Sequence, residues 1–250
     1  LFILTSIIKM KRIFGITILL IISYSSLSAQ NKCYLNEINN SDSIKAVVHL
    51  IKQKYIGGTT TENKKERARE AGKELYDLSY TIKNKALKAY VLYESGRSYW
   101  NWGFNSEAIK MLSKSISNQK CARAYETRAD CKYKLNLYLS AAQDFEMYFQ
   151  LEPDPRHSNR LDIAHCYFEL QMFKESKKHL SHLINFQKNN PAKSSYMEEI
   201  YDERFGQAYI YRAYCNNNLG LKKEACIDLA KAANYAPSEV IQPKQELDCN

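Results

Sequence analysis

The sequence predicts an all-α chain, an α-solenoid of stacked antiparallel helix hairpins winding as a right-handed superhelix. Three observations predict it. Residues 124–153 and 208–237 coincide at a constant offset of 84 without a gap, sharing Ala, Tyr, Arg, Ala, Cys, Leu, Leu, Ala, Asp and Pro. Small residues recur in couples twelve apart, at Gly96/Ala108, Ala129/Ala141, Ala164/Ser176 and Ala213/Ala225. No stretch shows the alternation of a half-buried strand; apolar residues return every three or four positions instead.

The first hairpin is predicted at 42–83. Ile44, Val47, Val48, Ile51 and Tyr55 form one apolar stripe, stopped by Gly57-Gly58. Thr59-Thr-Thr-Glu62 has the spacing of a capping box. Ala68, Ala71, Leu75, Leu78 and Ile82 trace the second stripe.

From residue 89 the pattern becomes periodic. Four positions beyond the second member of each couple comes a large residue, Leu112, Phe145, Leu180 or Leu229. Three further stand Ser115, Tyr148, Leu183 and Ala232. Two helices approach closely only where small side chains face each other, and the large residue one turn later fills the space toward the next hairpin. Pro153 and Pro237 stop the second helix, because proline lacks the N–H that would continue it. The units recur after 33, 35 and 49 residues, so the last interval carries an insertion on a period near 34. Asn189-Asn-Pro191 breaks the preceding helix, and Ser195-Tyr-Met-Glu198 reads as a capping box. The insertion is therefore expected to lengthen the first helix of the fourth unit, over about residues 195–218.

These units resemble the tetratricopeptide repeat family, whose signature places a Gly and an aromatic in the first helix, then Ala, a large residue and Pro in the second. Gly96, Tyr99, Ala108 and Leu112 carry the match in the first unit, and Ala129, Ala141, Phe145 and Pro153 in the second. Ala164, Tyr167, Ser176 and Leu180 carry it in the third, and Ala213, Ala225, Leu229 and Pro237 in the fourth. Lys132 and Asn216 stand where an aromatic is usual, and the third unit lacks its proline. The organisation expected is a leader within 1–29, a hairpin or cap over 30–88, four repeats over 89–237 and a C-terminal tail or cap over 238–250.

Met10-Lys-Arg followed by the apolar run Ile13–Ser23 and Leu27-Ser-Ala29 has the layout of a secretory signal peptide, with translation expected to start at Met10. The run is too short to span a bilayer, which takes about 20 residues. No lipidation box precedes Cys33. The protein is therefore expected to be exported, periplasmic or secreted, with no stable membrane span once the leader is cut. Cleavage removes Lys9, Lys11 and Arg12 from a chain of formal net charge +9. The remaining Lys and Arg are mixed with Asp and Glu along the helices, an ordinary solvated surface, so nucleic acid is not expected as a partner.

Seven cysteines in an oxidising compartment invite disulfides, and the odd count leaves at least one over. Cys121 and Cys131, ten residues apart on one helix, lie about 15 Å apart and cannot bond. The candidate pair is Cys226 with Cys249, the tail folding back over the last helix, although connectivity does not follow from spacing. Cys131, Cys166 and Cys215 occupy equivalent places two residues after a small one; a tight helix contact wants such a residue there, which argues against a redox ladder. His179 and His182 lie one turn apart but lack the further ligands of a metal site, so no metal and no cofactor are expected. There is no glycine-rich phosphate loop and no nucleophile elbow, and the chain is read as non-catalytic. Arg128 and Arg212 recur just before the small residue, with Asp144 and Asp228 as their candidate partners.

The resemblance implies a concave groove lined by the first helices, which in this family holds a peptide or a partner helix. The groove residues expected are Tyr90, Tyr93, Arg97 and Trp100, then Arg123, Glu126, Asp130 and Tyr133, then His165 and Phe168, then Ile210 and Tyr214. The competing reading of each ring is packing between repeats. The reading favoured is a scaffold for a protein or peptide partner. Its alternatives are an envelope protein that self-associates as a homo-oligomer through an unpaired cysteine, and, more weakly, a metal or redox protein.

Overall fold

A computed structural model describes residues 41–56, 61–153, 155–189 and 195–249. The leader, Cys33, the Gly57-Gly58 turn and the capping-box side chains at 59–62 and 195–198 lie outside the described residues. Among those described there are eleven helices and no strand. None of the helices is long and apolar enough to cross a membrane. The chain divides into two compact units, residues 1–127 and residues 128–250.

In the first unit, α1 (Ser41–Ile56) packs on α2 (Thr61–Thr81), and α2 on α3 (Lys85–Trp100), which pairs with α4 (Asn105–Asn118). The start of α5 (Ala122–Lys134) completes it. Val48 and Ile51 of α1, Ala68, Ala71 and Leu75 of α2, and Ile82 just past its end are buried at the predicted stripe positions. The Asn84 side chain accepts a bond from the Leu87 N–H at 3.0 Å and so caps α3. Backbones come close here. A Cβ on Gly72 would stand 2.8 Å from the Tyr99 ring, and Ser95 Oγ donates to Gly72 O at 2.6 Å. A Cβ on Gly96 would lie 2.7 Å from Leu112 Cγ and 3.4 Å from Ala108 O. The first small couple is therefore a direct α3–α4 contact.

In the second unit, the end of α5 is followed by α6 (Tyr138–Leu151), α7 (Asn159–Glu169), α8 (Phe173–Asn189), α9 (Ser195–Asn218), α10 (Lys222–Ala232) and α11 (Ile241–Glu246). The helix α9 starts and ends where the sequence places its lengthened first helix. Ala129 and Ala141 share one core cluster with Phe145, and Ala213 and Ala225 another with Leu229. Ala164 and Ser176 are likewise fully buried. The tail lies on the last hairpin: Leu247 and Cys249 pack against Ala213, Ala225 and Leu229. A disulfide joins Cys226 to Cys249, with Cα atoms 5.2 Å apart.

The four turns inside the hairpins share one conformation. Gly103, Asn136, Gln171 and Gly220 hold φ between 57° and 78°. The next residue donates back to the first helix in each: Phe104 to Tyr99 O at 3.0 Å, Leu137 to Lys132 O at 2.9 Å, and Met172 to Tyr167 O and Leu221 to Asn216 O at 2.8 Å. This closing bond caps the helix and demands a left-handed residue, which explains Gly and Asn.

The departures from the repeat signature form coupled sets. Arg128 clasps buried Asp144 with two bonds of 2.7 Å, and Lys132 adds a third contact at 2.7 Å. Arg212 clasps buried Asp228 at 2.8 and 2.6 Å, and Asn216 donates to the same carboxylate at 3.0 Å. In the third unit the same three places hold Ile163, Tyr167 and His179, and the Tyr167 and His179 rings stack at 5.6 Å. The missing aromatics at 132 and 216 are thus exchanged together with their partners across the helix pair.

Removing one member of a set leaves buried polar groups unmatched. Asp228→Ala is expected to cost about 3 kcal/mol of unfolding free energy in urea titration. Copying the third unit's set, as Arg212→Ile with Asn216→Tyr and Asp228→His, is expected to recover more than half of that loss. A triple variant no more stable than Asp228→Ala would show the sets are not interchangeable. Gly96→Val, which drives branched carbon into Leu112, is expected to destabilise by about 1–3 kcal/mol. An unchanged midpoint would mean the α3–α4 contact is loose.

Candidate functional site

The open face of each first helix follows from its register against the small residue. Positions two before, one after and four after that residue share a face, since they are three apart on a helix. In the second unit this face carries Asp130 and Tyr133 on α5, Asp162, His165 and Phe168 on α7, and Tyr211 and Tyr214 on α9.

There the rings join into one seam. Tyr133 meets His165 at 5.4 Å between centroids and Tyr138 at 6.0 Å. His165 meets Tyr211 at 5.3 Å, Tyr211 meets Phe168 at 5.5 Å, and Phe168 meets Tyr214 at 6.3 Å. Phe173 closes the other side of Phe168 at 5.6 Å. All of these contacts are edge-to-face, the favoured arrangement of aromatic quadrupoles. The rings are half-buried, not sunk in the core. Polar contacts hold them in place. Tyr133 Oη lies 3.1 Å from His165 Nδ1, and His165 Nε2 lies 3.4 Å from Glu169. Both are met at once when Tyr133 donates to Nδ1 and Nε2–H points at Glu169. Tyr214 donates to Glu246 of α11 at 2.6 Å. Burial, with Glu246 beside it, pushes the Tyr214 phenol up to about 12, and burial with Asp162 nearby also pushes Tyr133 up. Both phenols stay protonated near neutral pH. Burial raises the Asp162 carboxyl, opposed by Arg204, which bonds it at 3.0 and 3.3 Å.

The first unit differs. Tyr90 and Tyr93 are buried, as is Glu126, so these three are packing residues and not exposed groove surface. Tyr93 and Glu126 stand three before the small residue, and so does Ile210, which packs into the core clusters of the second unit. That position turns toward the neighbouring hairpin, one residue off the open face. Arg97 and Trp100 are on the expected face and half-buried. Arg97 bonds buried Glu94 at 3.4 Å and lies over the Tyr93 ring. Lys52 of α1 reaches the same carboxylate, so α1 covers part of this face. Arg123 bonds Glu126 at 3.2 Å.

Of the twelve expected groove residues, the seam therefore brings together Tyr133, His165, Phe168 and Tyr214, with Asp130 one turn before Tyr133. Tyr138, Tyr211 and Phe173 were missed. The signal for Tyr211 was available, since it stands two before Ala213 as Asp162 does before Ala164.

The histidine pair does not converge. His179 is buried and His182 exposed. No group of three His, Cys, Asp or Glu side chains placed to hold a metal occurs among the described residues. His179 Nε2 lies 3.1 Å from Glu146, while Arg160 approaches Nδ1 at 3.5 Å. A neutral ring satisfies both, donating to the carboxylate and accepting from the guanidinium. Cys131, Cys166 and Cys215 are free and fully buried, and burial pushes the first two thiols up to about 12. Such thiols are inert, so none of them can link chains covalently. Cys121 is disulfide-bonded.

No protein-family model matches the chain, and no curated protein matches it. Solved structures do. The crystal structure of MamA matches with a TM-score of 0.55 at 15% identity, over 73% of this chain and 98% of that one. A putative kinesin light chain of Podosopora anserina with nearly identical TPR-like repeats matches at 0.54 and 13% identity, over 78% and 98%. A variant of that same protein matches at 0.55 and 12% identity, over 79% and 99%. The fold is tetratricopeptide-like, a stack of antiparallel helix hairpins.

His179 makes stability depend on pH. Its pKa falls from 6.5 to about 4, chiefly through burial and then through the Arg160 charge. Below about pH 6.5 the unfolded chain takes up a proton on this ring that the folded chain resists until about pH 4. Folding free energy is therefore expected to drop by about 3 kcal/mol between pH 7 and 4 from this group. The His179→Gln variant should show a correspondingly shallower acid dependence in urea titrations, and an equally steep one would refute the assignment.

Proposed function

We propose that the chain is a non-catalytic scaffold that binds a protein or peptide through the aromatic seam of residues 128–250. The observation that carries this is the continuous run of half-buried rings from Tyr133 to Tyr214 across three first helices. Rigid aromatics with one polar end supply contact area at little entropic cost, and such residues dominate binding energy when a partner buries them. A tetratricopeptide-like fold supports a protein partner, because stacked hairpins hold such a face open with no rearrangement.

We place the protein outside the cytoplasm, periplasmic or secreted, as its leader-like start suggests. The Cys226–Cys249 bridge fits that reading, since disulfides persist in oxidising compartments. Self-association through a free cysteine finds no support among the described residues, because all three free thiols are buried.

A photocrosslinking residue at position 211, placed in the chain in its native cell, tests the reading. Capture of a discrete partner is expected. Phe168→Ala combined with Tyr214→Ala should abolish capture while circular dichroism keeps its helical signal. Undiminished capture by that folded double variant would remove the seam from the interface.

A further inference from the structure

We infer that the seam takes a cationic peptide segment, one that presents Lys or Arg side chains to Phe168, Tyr211 and Tyr214. This rests on the peptide-binding reading above and adds the charge of the occupant.

The chain carries a formal net charge of +9, yet the seam is edged by carboxylates. Glu169 meets His165 and Glu246 meets Tyr214, while Asp162 and Glu239 lie within electrostatic reach of Tyr133 and Tyr211. Arg204, bonded to Asp162, and Arg156 near it are the cations that answer Asp162. Glu246 is held by neutral donors, Tyr214 at 2.6 Å and Gln242 at 2.7 Å, which fix its position and leave its charge in place. Glu169 and Glu239 both act on the Tyr211 phenol. A negative edge therefore surrounds ring faces that are themselves electronegative. Ring quadrupole and carboxylates attract the same ligand: an ammonium or guanidinium lies over an aromatic face while its N–H groups reach an acid. An acidic segment would meet like charge, and a wholly apolar one would leave the carboxylates unanswered. Long basic side chains also suit half-buried rings, since their methylene stems cover apolar area while the head stays at the edge.

Random peptides of about a dozen residues displayed on phage, selected on the full chain, provide the test. Enrichment of Lys and Arg over Asp and Glu is expected. A synthetic peptide from that selection should lose about ten-fold in affinity against the combined Glu169→Gln, Glu239→Gln, Glu246→Gln variant, and should weaken as salt is raised. These carboxylates are exposed, so the variant is expected to fold, which circular dichroism checks. Acidic or neutral selected sequences, no enrichment, equal affinity for the neutralised variant, or a second copy of the chain occupying the seam would each overturn the inference. Crosslinking at position 211 without Lys or Arg bias would sink the charge assignment alone. Failure of both experiments would sink the seam as a binding surface.

Discussion

Everything in this chain depends on how closely two paired helices approach. Glycine or alanine is matched with alanine or serine in each pair, and at Gly96 the helices close to where one added carbon collides. That collision would be with the Leu112 side chain at 2.7 Å, the Ala108 carbonyl standing in contact at 3.4 Å. Close approach fixes the register of each hairpin. Register decides which side chains point to the next hairpin, into the pair, or outward. The aromatic seam is a downstream result: Tyr133, Phe168 and Tyr214 share a face because Ala129, Ala164 and Ala213 share a depth.

Within that frame the interior tolerates two chemistries at one place. Arg with Asp serves in two hairpins, and a tyrosine stacked on histidine serves in another. Both sit between the paired helices, one joined by charge-assisted bonds across the pair and the other by stacked rings. A paired, bidentate ion clasp costs little net stability but is intolerant of losing one side. Such sets therefore change together, which is why a repeat can drift far from its signature and keep its shape.

The sequence made the architecture legible because periodicity acts at every turn of helix. The small couples follow from spacing, and the lengthened α9 from the insertion together with the break at Pro191 and the capping-box spacing at 195–198. Spacing also pointed to Arg128 with Asp144, since sixteen residues bring them across one turn. The open face was harder. An error of one residue on a helix rotates a side chain by about 100°, enough to move Tyr93, Glu126 and Ile210 from solvent to packing. Tyr211 was passed over for the same reason. In the first unit, burial of Glu94 under Lys52 depends on α1, and no pattern within α3 announces it. Partner identity is less legible still, because it is written in the partner.

The three buried thiols are evenly dealt: Cys131 sits on α5, Cys166 on α7 and Cys215 on α9. None can be alkylated while its hairpin is closed. Each is thus a built-in reporter, and the rate at which a maleimide labels it under native conditions measures how often that hairpin opens. Fragments from mass spectrometry would then rank the hairpins by local opening, and show whether the bridged C-terminal end breathes less than its interior neighbours.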